Sequence, residues 1–433
     1  MKRLSTLVLS IVTVCTAAMA GGLMTNTNHH LAFNRMMARG ASFEIDGAYT
    51  NPAGLVWGHE GWQLSFNWQY AKQSRDIKSL FPVNPTEDHI IEHKGTVDAP
   101  FIPDLYVAYN NNRWAFSFFG GFVGGGGKAH FTDGVSMFNI PVMLGLMQYQ
   151  ITPDMYTIDS DVKGTQYVVG LQANAAYRIN DHFSASAGFR VNRLLANYKG
   201  FVLTSAIPQI GSIDMQLDCD QRGWGFNPII GVDYRLNDLT LAAHYEFRTK
   251  ITATNKTKTL YDSSNSGSLE KAGFGDGMKS RCDMPSLLSV AAGYAFSPRV
   301  RAQLEYHFYD DKHAKLSNDR QEFLDRGTNE ILAGVEWDIN DMFTVSCGGQ
   351  RTDYGLTEGK SDNFQNDMSF SCDSYSVGLG GAINVNEHMR VNAGCFWTIY
   401  SDYDKKVVYG TMEGTNTYSR TNRSLGIGID YKF

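Results

Sequence analysis

Hydrophobic and polar residues alternate at both ends of the chain. In GWQLSFNWQY the large apolar residues share one face: Trp62, Leu64, Phe66, Trp68 and Tyr70. The closing stretch SLGIGIDYKF repeats this pattern: Leu425, Ile427, Ile429, Tyr431 and Phe433. A period of two residues is typical of a β-strand. A continuous polar face opposite an apolar face with aromatic ends favours a strand between lipid and an aqueous lumen.

Short and long connections take turns between the candidate strands. The short ones carry the Asn, Asp and Pro residues of tight turns: 110–113, 179–182, 236–239, 296–299, 339–342 and 384–388. The long ones are polar or glycine-rich: 74–98, 132–160, 199–214, 254–281, 312–326, 355–366 and 402–416. This order predicts about fourteen antiparallel strands, with both termini on one side and the long loops outside.

The composition favours a membrane barrel over a soluble domain. Glycine supplies 43 of the 433 residues and aromatic residues 12%, while the mean hydropathy is −0.28. No apolar run after residue 20 reaches the about 18 residues that a membrane-spanning helix needs. The longest run is FNIPVMLGLM, at 138–147. We therefore predict an all-β transmembrane antiparallel barrel over residues 62–433.

Residues 1–20 have the features of a cleaved secretory signal peptide. Lys2 and Arg3 precede an apolar stretch that ends in the small-residue site Ala18-Met19-Ala20. The residue before Cys15 is too large for a lipoprotein signal, so lipidation is not expected. Removing this segment leaves 36 of the 38 basic residues against 44 acidic residues. This negative balance argues against nucleic-acid binding.

Residues 21–61 do not alternate, and they mix charged residues with methionine and phenylalanine. Such a segment is either a disordered tail or a plug, called a hatch here, inside the barrel. We predict a hatch, because the segment has enough apolar residues to pack. His29 and His30 are adjacent in this segment, and we expect them to be solvated rather than to hold a metal or a haem.

Sequence signals of catalysis are absent. Neither G-x-S-x-G nor H-E-x-x-H occurs, so we predict no enzyme, no metal and no cofactor. Five cysteines follow the signal peptide, they are far apart, and no C-x-x-C occurs. Isolated thiols are expected, and a Cys219–Cys282 bridge near the outer loops stays open.

The third candidate strand, residues 113–131, contains an unusual glycine run. Trp114, Phe116 and Phe118 alternate outward, and the alternation then stops at a run of four glycines: Gly124, Gly125, Gly126 and Gly127. Glycines offer no side chain to pack, so we predict a kink in the barrel wall. The stretch GGGGKA does not fit a phosphate loop, because Phe122 and Ala129 occupy positions where glycine and Ser/Thr are required.

Basic residues with inward parity are the candidate contacts for a ligand head group. They lie on the fifth strand and on the strand TLAAHYEFRTK: Arg190, His244, Arg248 and Lys250. One interpretation is an ion-pair network that fills the lumen. The other is a cationic anchor for a carboxylate.

An apolar loop at 137–151 is the candidate for ligand capture. Apolar surface in an outer loop needs a reason, and packing against a neighbouring loop is one. A capture groove is the other, carried by Met143, Leu144, Leu146 and Met147. Methionine-rich surfaces adapt to varied apolar shapes.

Several segments together resemble the FadL/TodX-type outer-membrane transporters of hydrophobic molecules. The stretch ARGASFEIDGAYTNPAGL (38–55) is similar to the hatch segment of that family, which ends in an NPA motif. The stretches GWGFNPIIGVDYRLND (223–238), HYEFRTK (244–250) and NEILAGVEWDINDMFTVSCGGQRTD (329–353) resemble its later strands. The resemblance covers nearly all of the chain after the signal peptide.

The resemblance implies a fourteen-stranded barrel plugged by an N-terminal hatch. It also places the NPA segment against a kink in the third strand, where the wall opens sideways: Asn51, Pro52, Ala53 and Gly54. We expect residues 51–53 to contact the glycine run and to cover the inner side of a hole in the wall. The implied function is passive transport of hydrophobic compounds, with capture at the outer loops and lateral exit.

Long-chain fatty acids are the first candidate cargo. The alternatives are haem or an aromatic compound as cargo, and a structural or adhesive barrel as the function. The expected location is the bacterial outer membrane. We expect a monomer whose partners are outer-membrane lipids and the barrel-assembly machinery, which would read the terminal Phe433.

Overall fold

The computed structural model describes residues 23–207, 210–264 and 267–433. The predicted signal peptide lies outside the described residues. The strands are β1 (Gly61–Leu80), β2 (Ile90–Asn110), β3 (Trp114–Phe131), β4 (Ile158–Arg178), β5 (Phe183–Thr204), β6 (Asp214–Leu236), β7 (Leu239–Glu246), β8 (Thr252–Asp262), β9 (Lys279–Arg281), β10 (Leu287–Ser297), β11 (Val300–Tyr309), β12 (Thr328–Asp338), β13 (Phe343–Asp353), β14 (Ser374–Asn384), β15 (Met389–Tyr400), β16 (Tyr403–Tyr409) and β17 (Met412–Lys432).

Helical structure is confined to the segment before β1 and to the loops. The α-helices are α1 (Leu31–Met36), α2 (Gly47–Thr50) and α3 (Ser136–Met147). Shorter 3₁₀ and π turns cover Pro52–Trp57, Pro153–Met155, Glu270–Phe274, Asp311–His313, Ser317–Phe323 and Ser361–Asn363. Within the described residues, no helix combines the length and apolarity that crossing a bilayer requires.

Fourteen of the described strands close an antiparallel barrel. Consecutive strands pair from β1 to β7, β7 pairs with β10, and pairing continues to β15. The strand β17 joins β15 to β1 and closes the wall. The remaining strands, β8, β9 and β16, extend the wall beyond β7, β10 and β15. The predicted barrel of about fourteen strands is confirmed.

The apolar residues of the alternating pattern lie on the outer face of the barrel wall, and the polar residues lie on its inner face. On β1, Trp62 and Phe66 are exposed, whereas Ser65 and Asn67 are fully buried inside. On β17, Leu425 and Ile427 are exposed in the same way. Outward apolar side chains belong to the lipid-facing band, and inward polar side chains line the lumen.

The short connections join strands at one end of the barrel, as expected. The hairpins β2–β3, β4–β5, β6–β7, β10–β11, β12–β13 and β14–β15 turn at the six predicted positions. The long connections within β1 to β6 are shorter than predicted, because the strands extend into them, whereas the connections 310–327 and 354–373 are longer than predicted. For example, β1 reaches Leu80 and β2 begins at Ile90, inside the predicted loop 74–98. The wall from β1 to β6 therefore rises above the wall from β10 to β15.

We predict that the two ends of the barrel differ in access from outside the cell. A peptide tag inserted after Gly359, in the long loop between β13 and β14, should bind antibody on intact cells. A tag inserted at Asn180, in the β4–β5 turn, should bind antibody only after the outer membrane is permeabilised. Gly359 and Asn180 are both exposed, so neither insertion should disturb the barrel. Labelling of the Asn180 tag on intact cells would contradict this topology.

Candidate functional site

The N-terminal segment fills the lumen and lies against inward residues all round the wall. Its helix α1 occupies a groove made of glycines on five neighbouring strands: Gly334, Gly348, Gly378, Gly380, Gly394 and Gly426. A Cβ atom at Gly334 or Gly348 would overlap the carbonyl oxygen of Met36. The backbone of α1 can approach the wall this closely only because these residues have no side chain.

Buried ion pairs and hydrogen bonds hold the hatch together and fix it to the wall. Arg35 on α1 pairs with Glu336 on β12, and both side chains are fully buried. Arg39 bonds both oxygens of Asp46, at 2.6 and 3.0 Å. The backbone N–H groups of Arg39 and Gly40 donate to Glu305 at 2.9 Å. Removing one partner of such a buried pair typically costs about 3–5 kcal/mol.

His29 and His30 are buried, so the expectation that they are solvated was wrong. The Nδ1 atom of His30 accepts the N–H of Ala32 at 3.0 Å and caps α1. Its Nε2 atom lies 3.0 Å from Asp430 on β17. The ring of His29 packs edge-on against Tyr49, with centroids 4.5 Å apart. Both side chains are thus used in holding the hatch.

The NPA segment lies against β5 and β6. The Nδ2 of Asn51 donates to Asp233 at 2.7 Å, and the hydroxyl of Ser184 donates to the carbonyl of Ala53 at 2.7 Å. Pro52 begins the 3₁₀ helix, where its missing N–H costs nothing. A Cβ at Gly54 would lie 2.8 Å from the carbonyl oxygen of Ser42. The four residues form a tight elbow that is fixed to the wall.

The wall is interrupted between β2 and β3. Their pairing stops at Val97–Ala129 and resumes at Leu105–Gly120, which leaves 98–104 and 121–128 without mutual pairs. Pro100 and Pro103 in the β2 segment lack the N–H that a ladder needs.

At the glycine run, the pairing of β3 with its other neighbour, β4, shifts in register. Five residue steps on β3, from Phe122 to Gly127, face three steps on β4, from Val169 to Gln166. The strand β3 therefore carries two extra residues here. Gly125 and Gly127 have φ angles of 94° and 75°, which other residues adopt only with strain.

The first residues of the hatch cover the inner side of this interruption. The N–H of Asn26 donates to the carbonyl of Val123 at 2.9 Å, and its Nδ2 donates to the carbonyl of Gly125 at 3.2 Å. A Cβ at Gly124 would overlap the carbonyl oxygen of Met24. The expectation that residues 51–53 cover the glycine run was wrong, since residues 24–26 occupy that place.

Asp311, in the loop after β11, contacts Leu23, the residue just before the segment 24–26 that covers the interruption. The carboxyl of Asp311, after β11, is buried and lies against the backbone of Leu23; burial raises its pKa to about 7. Nothing in the sequence signals this contact, because the two residues are remote along the chain.

The predicted basic residues do not form one site. Arg190 forms a bidentate salt bridge with Glu246: its Nη1 donates to Oε2 at 2.5 Å and its Nη2 donates to Oε1 at 2.7 Å. His244 lies buried beside that pair. The inward parity of Arg248 and Lys250 was wrong, because β7 ends at Glu246. Arg248 bonds the carbonyl of His313, and Lys250 is exposed. The ion-pair interpretation therefore describes Arg190.

The apolar loop forms α3, which packs against other outer loops and against the ends of the neighbouring strands. Met143, Leu144 and Leu146 are buried and Met147 is half-buried. Their cluster includes residues of other loops and strands: Phe81, Val83, Tyr156, Val202, Ile207, Ile213 and Met215. Packing against neighbouring loops therefore accounts for these four residues.

An apolar cavity of about 60 Å³ lies next to α3. Its apolar lining comes from α3, the strands β4 to β6 and the outer loops: Phe138, Val162, Tyr198, Val202, Met215, Leu217, Leu269, Phe274 and Met368. No local pattern in the sequence predicts this cavity, because its lining comes from six separate segments.

Cys219 is a buried free thiol. Its sulfur accepts a hydrogen bond from the hydroxyl of Thr257 at 3.4 Å, so the Cys219–Cys282 bridge that sequence analysis left open is not formed.

Comparisons with known proteins agree with this architecture. The family model of the outer membrane protein beta-barrel domain matches residues 264–433. A search of curated proteins found no match. Among solved structures, a FadL homologue from Pseudomonas aeruginosa is similar at a TM-score of 0.65 and 16% identity, over 97% of this chain and 100% of that chain.

Two toluene transporters have similar structures. The Ralstonia pickettii transporter TbuX gives a TM-score of 0.59 at 14% identity, over 94% of this chain and 99% of that chain. The P. putida transporter TodX gives 0.58 at 13% identity, over 90% and 94%. The chain has the FadL-type fold. The resemblance seen in the sequence is confirmed for this fold, and the FadL-type barrel is a bacterial outer-membrane architecture.

Proposed function

We propose that this protein is a passive outer-membrane channel for hydrophobic compounds, with long-chain fatty acids as the first candidate cargo. The observation that carries this proposal is the interruption between β2 and β3, which the hatch covers from inside. Unpaired backbone in the hydrocarbon layer is costly. A wall that keeps such a gap at membrane depth needs a use for it.

The proposed route has three parts. Cargo enters at the apolar cavity beside α3, moves down the lumen above the hatch, and leaves sideways through the interruption once residues 24–26 move aside. A molecule that partitions into lipid gains nothing from entering the polar periplasm, so a sideways exit suits it. The similar structures of a FadL homologue and of toluene transporters support this class of cargo.

Other functions explain the structure less well. A structural or adhesive barrel has no use for an interrupted wall or for an internal hatch. Haem and aromatic compounds would enter by the same route, so they remain alternative cargo within the same function.

We expect cells that produce this protein to take up labelled dodecanoate faster than cells with an empty vector. The assay requires a host that lacks its own transporter. Uptake of arabinose, a small hydrophilic compound, should not change, because the hatch blocks the aqueous path. Toluene and haem serve as parallel substrates that separate the cargo classes. Unchanged uptake of all three hydrophobic compounds would refute the proposed function.

A further inference from the structure

Two arginines face each other inside the barrel, in the half of the lumen nearer the long loops. Arg75 on β1 pairs directly with Arg420 on β17 in the strand register. Both side chains point inward, and the residues are 0% and 5% exposed. Like charges opposite each other in a sheet repel, and burial strengthens that repulsion.

Arg420 has incomplete hydrogen bonding. Its Nη1 donates to the carbonyl of Phe370 at 3.2 Å, and its guanidinium lies 4.7 Å from the ring centre of Tyr400. Its Nε and Nη2 atoms are buried and have no hydrogen-bond partner among the described residues. Within the described part of the chain, no carboxylate forms a salt bridge with Arg420.

This arrangement differs from that of three other arginines buried in the lumen. Arg35, Arg39 and Arg190 each have a carboxylate partner: Glu336, Asp46 and Glu246, respectively. Those pairs hold the hatch or the wall together. Arg420 has no such carboxylate partner among the described residues, so its buried charge is not balanced by a direct ion pair.

A third polar side chain lies beside the arginine pair. Asn422 is on β17, two residues from Arg420, and it shares the inward parity. It is 1% exposed, and neither its Nδ2 nor its Oδ1 has a hydrogen-bond partner among the described residues. An oxyanion beside Arg420 would accept N–H bonds from both side chains.

We propose that Arg420, Arg75 and Asn422 form an internal binding site for the oxyanion head of an amphipathic molecule. The ligand class is a carboxylate or sulfonate on an apolar chain. An oxyanion offsets the repulsion between the two guanidinium groups and supplies the acceptors that Arg420 and Asn422 lack. The basic residues that the sequence suggests, Arg190, His244, Arg248 and Lys250, are not members of this site.

The surroundings provide a place for the apolar chain. Ile77, Phe131, Phe370 and Tyr418 belong to one buried apolar cluster at this level, and Met368 joins that cluster to the apolar cavity. A ligand head at the arginines therefore has its tail against apolar residues.

The wall interruption is close to the same site. Arg75 pairs with Gly95, which pairs with Phe131, and the β2–β3 ladder ends two residues further at Val97–Ala129. The site thus lies between the cavity and the exit of the proposed route. The inference rests on the proposed function for its role in transport, but binding can be measured without transport.

The test measures binding to the purified protein in a non-ionic detergent. The probes are dodecanoate and methyl dodecanoate, which have the same chain but differ in charge. We expect wild-type protein to bind dodecanoate at least tenfold more tightly than the ester. Arg420→Gln should remove this preference without weakening binding of the ester, and Asn422→Ala should reduce it. The matched control is Arg423→Gln, since Arg423 is exposed on the outer face of the same strand and should not matter.

Equal binding of acid and ester by wild-type protein would overturn the inference, and so would an unchanged preference in Arg420→Gln. Heat-modifiable mobility on gels checks that each variant is folded, and Arg420→Lys, which keeps the charge, should retain part of the preference. Failure of the proposed function gives a different result. In that case the acid preference and its loss in Arg420→Gln persist, while cells show no uptake of either probe.

Discussion

Gly348→Val should release α1 from the barrel wall. Even the Cβ of the new side chain would overlap the backbone oxygen of Met36, and a backbone atom cannot rotate away as a side chain can. Overpacking of this kind typically costs about 1–3 kcal/mol, and occasionally more. Arg35 and Arg39 are buried in the hatch, so trypsin should not reach them in the wild-type protein. In the variant we expect rapid cleavage after both residues and entry of arabinose into cells.

Gly349→Val is the matched control for this experiment. Gly349 is the next residue on β13, it has the opposite parity, and a Cβ there meets only the carbonyl oxygen of Ser376, at 3.6 Å. This variant should resist trypsin and exclude arabinose like the wild-type protein. A folded Gly348→Val protein with an intact, trypsin-resistant hatch would show that the glycine groove does not hold α1.

The barrel could be predicted because its physical cause is local. The outward apolar band must alternate with a polar interior, and tight turns need particular residues, so the strands and the six hairpins can be read from neighbouring positions. The break after Glu246 could not be read in this way. Alternation in TLAAHYEFRTK continues to Lys250, but the chain bends inward so that Thr249 and Ile251 become the buried residues. Packing of Ile251 against Gly223 and Gly225, remote in sequence, decides that bend.

The wall interruption, its cover and the arginine pair were harder to predict, because they join segments that are remote along the chain. The glycine run on β3 has a local signal, and the structure places an interruption there. Its cover, Met24 to Asn26, has no signal, since short polar segments look alike in sequence. The pair Arg75–Arg420 becomes visible only through the register by which β17 closes on β1. The alternation in the sequence indicates that both arginines point inward, but it does not indicate that they are neighbours.

Closing the wall should abolish uptake of hydrophobic compounds. The strand registers determine which change can do this. The strand β3 has two residues more than β4 across the interruption, and β2 has one more than β1 between the pairs Gln69–Ile102 and Ala71–Ala99. Replacing the glycines without shortening the chain would leave this excess in place. Deleting Gly125, Gly126 and Pro100 together removes the excess on both strands.

The triple deletion restores a continuous ladder from β1 to β4. Between β2 and β3 the excess is one residue on β3, since eight steps from Val97 to Leu105 face nine steps from Gly120 to Ala129. Removing one residue from β2 and two from β3 brings this pair into register as well. We expect the variant to insert as a folded, heat-modifiable barrel, because additional ladder bonds satisfy backbone groups at membrane depth. Its uptake of dodecanoate and toluene should fall to the level of the empty vector.

Deletion of Lys258 is the matched control. It removes the single extra residue of β8 opposite Asp218–Cys219, far from the interruption, and should leave uptake unchanged. Arabinose should stay excluded in both variants, which distinguishes a closed wall from a displaced hatch. If the folded triple deletion still transports dodecanoate at the wild-type rate, cargo does not leave between β2 and β3. The route would then run down the axis to the polar cavity of about 450 Å³ at the opposite mouth, where Arg390 and Asp430 meet the hatch.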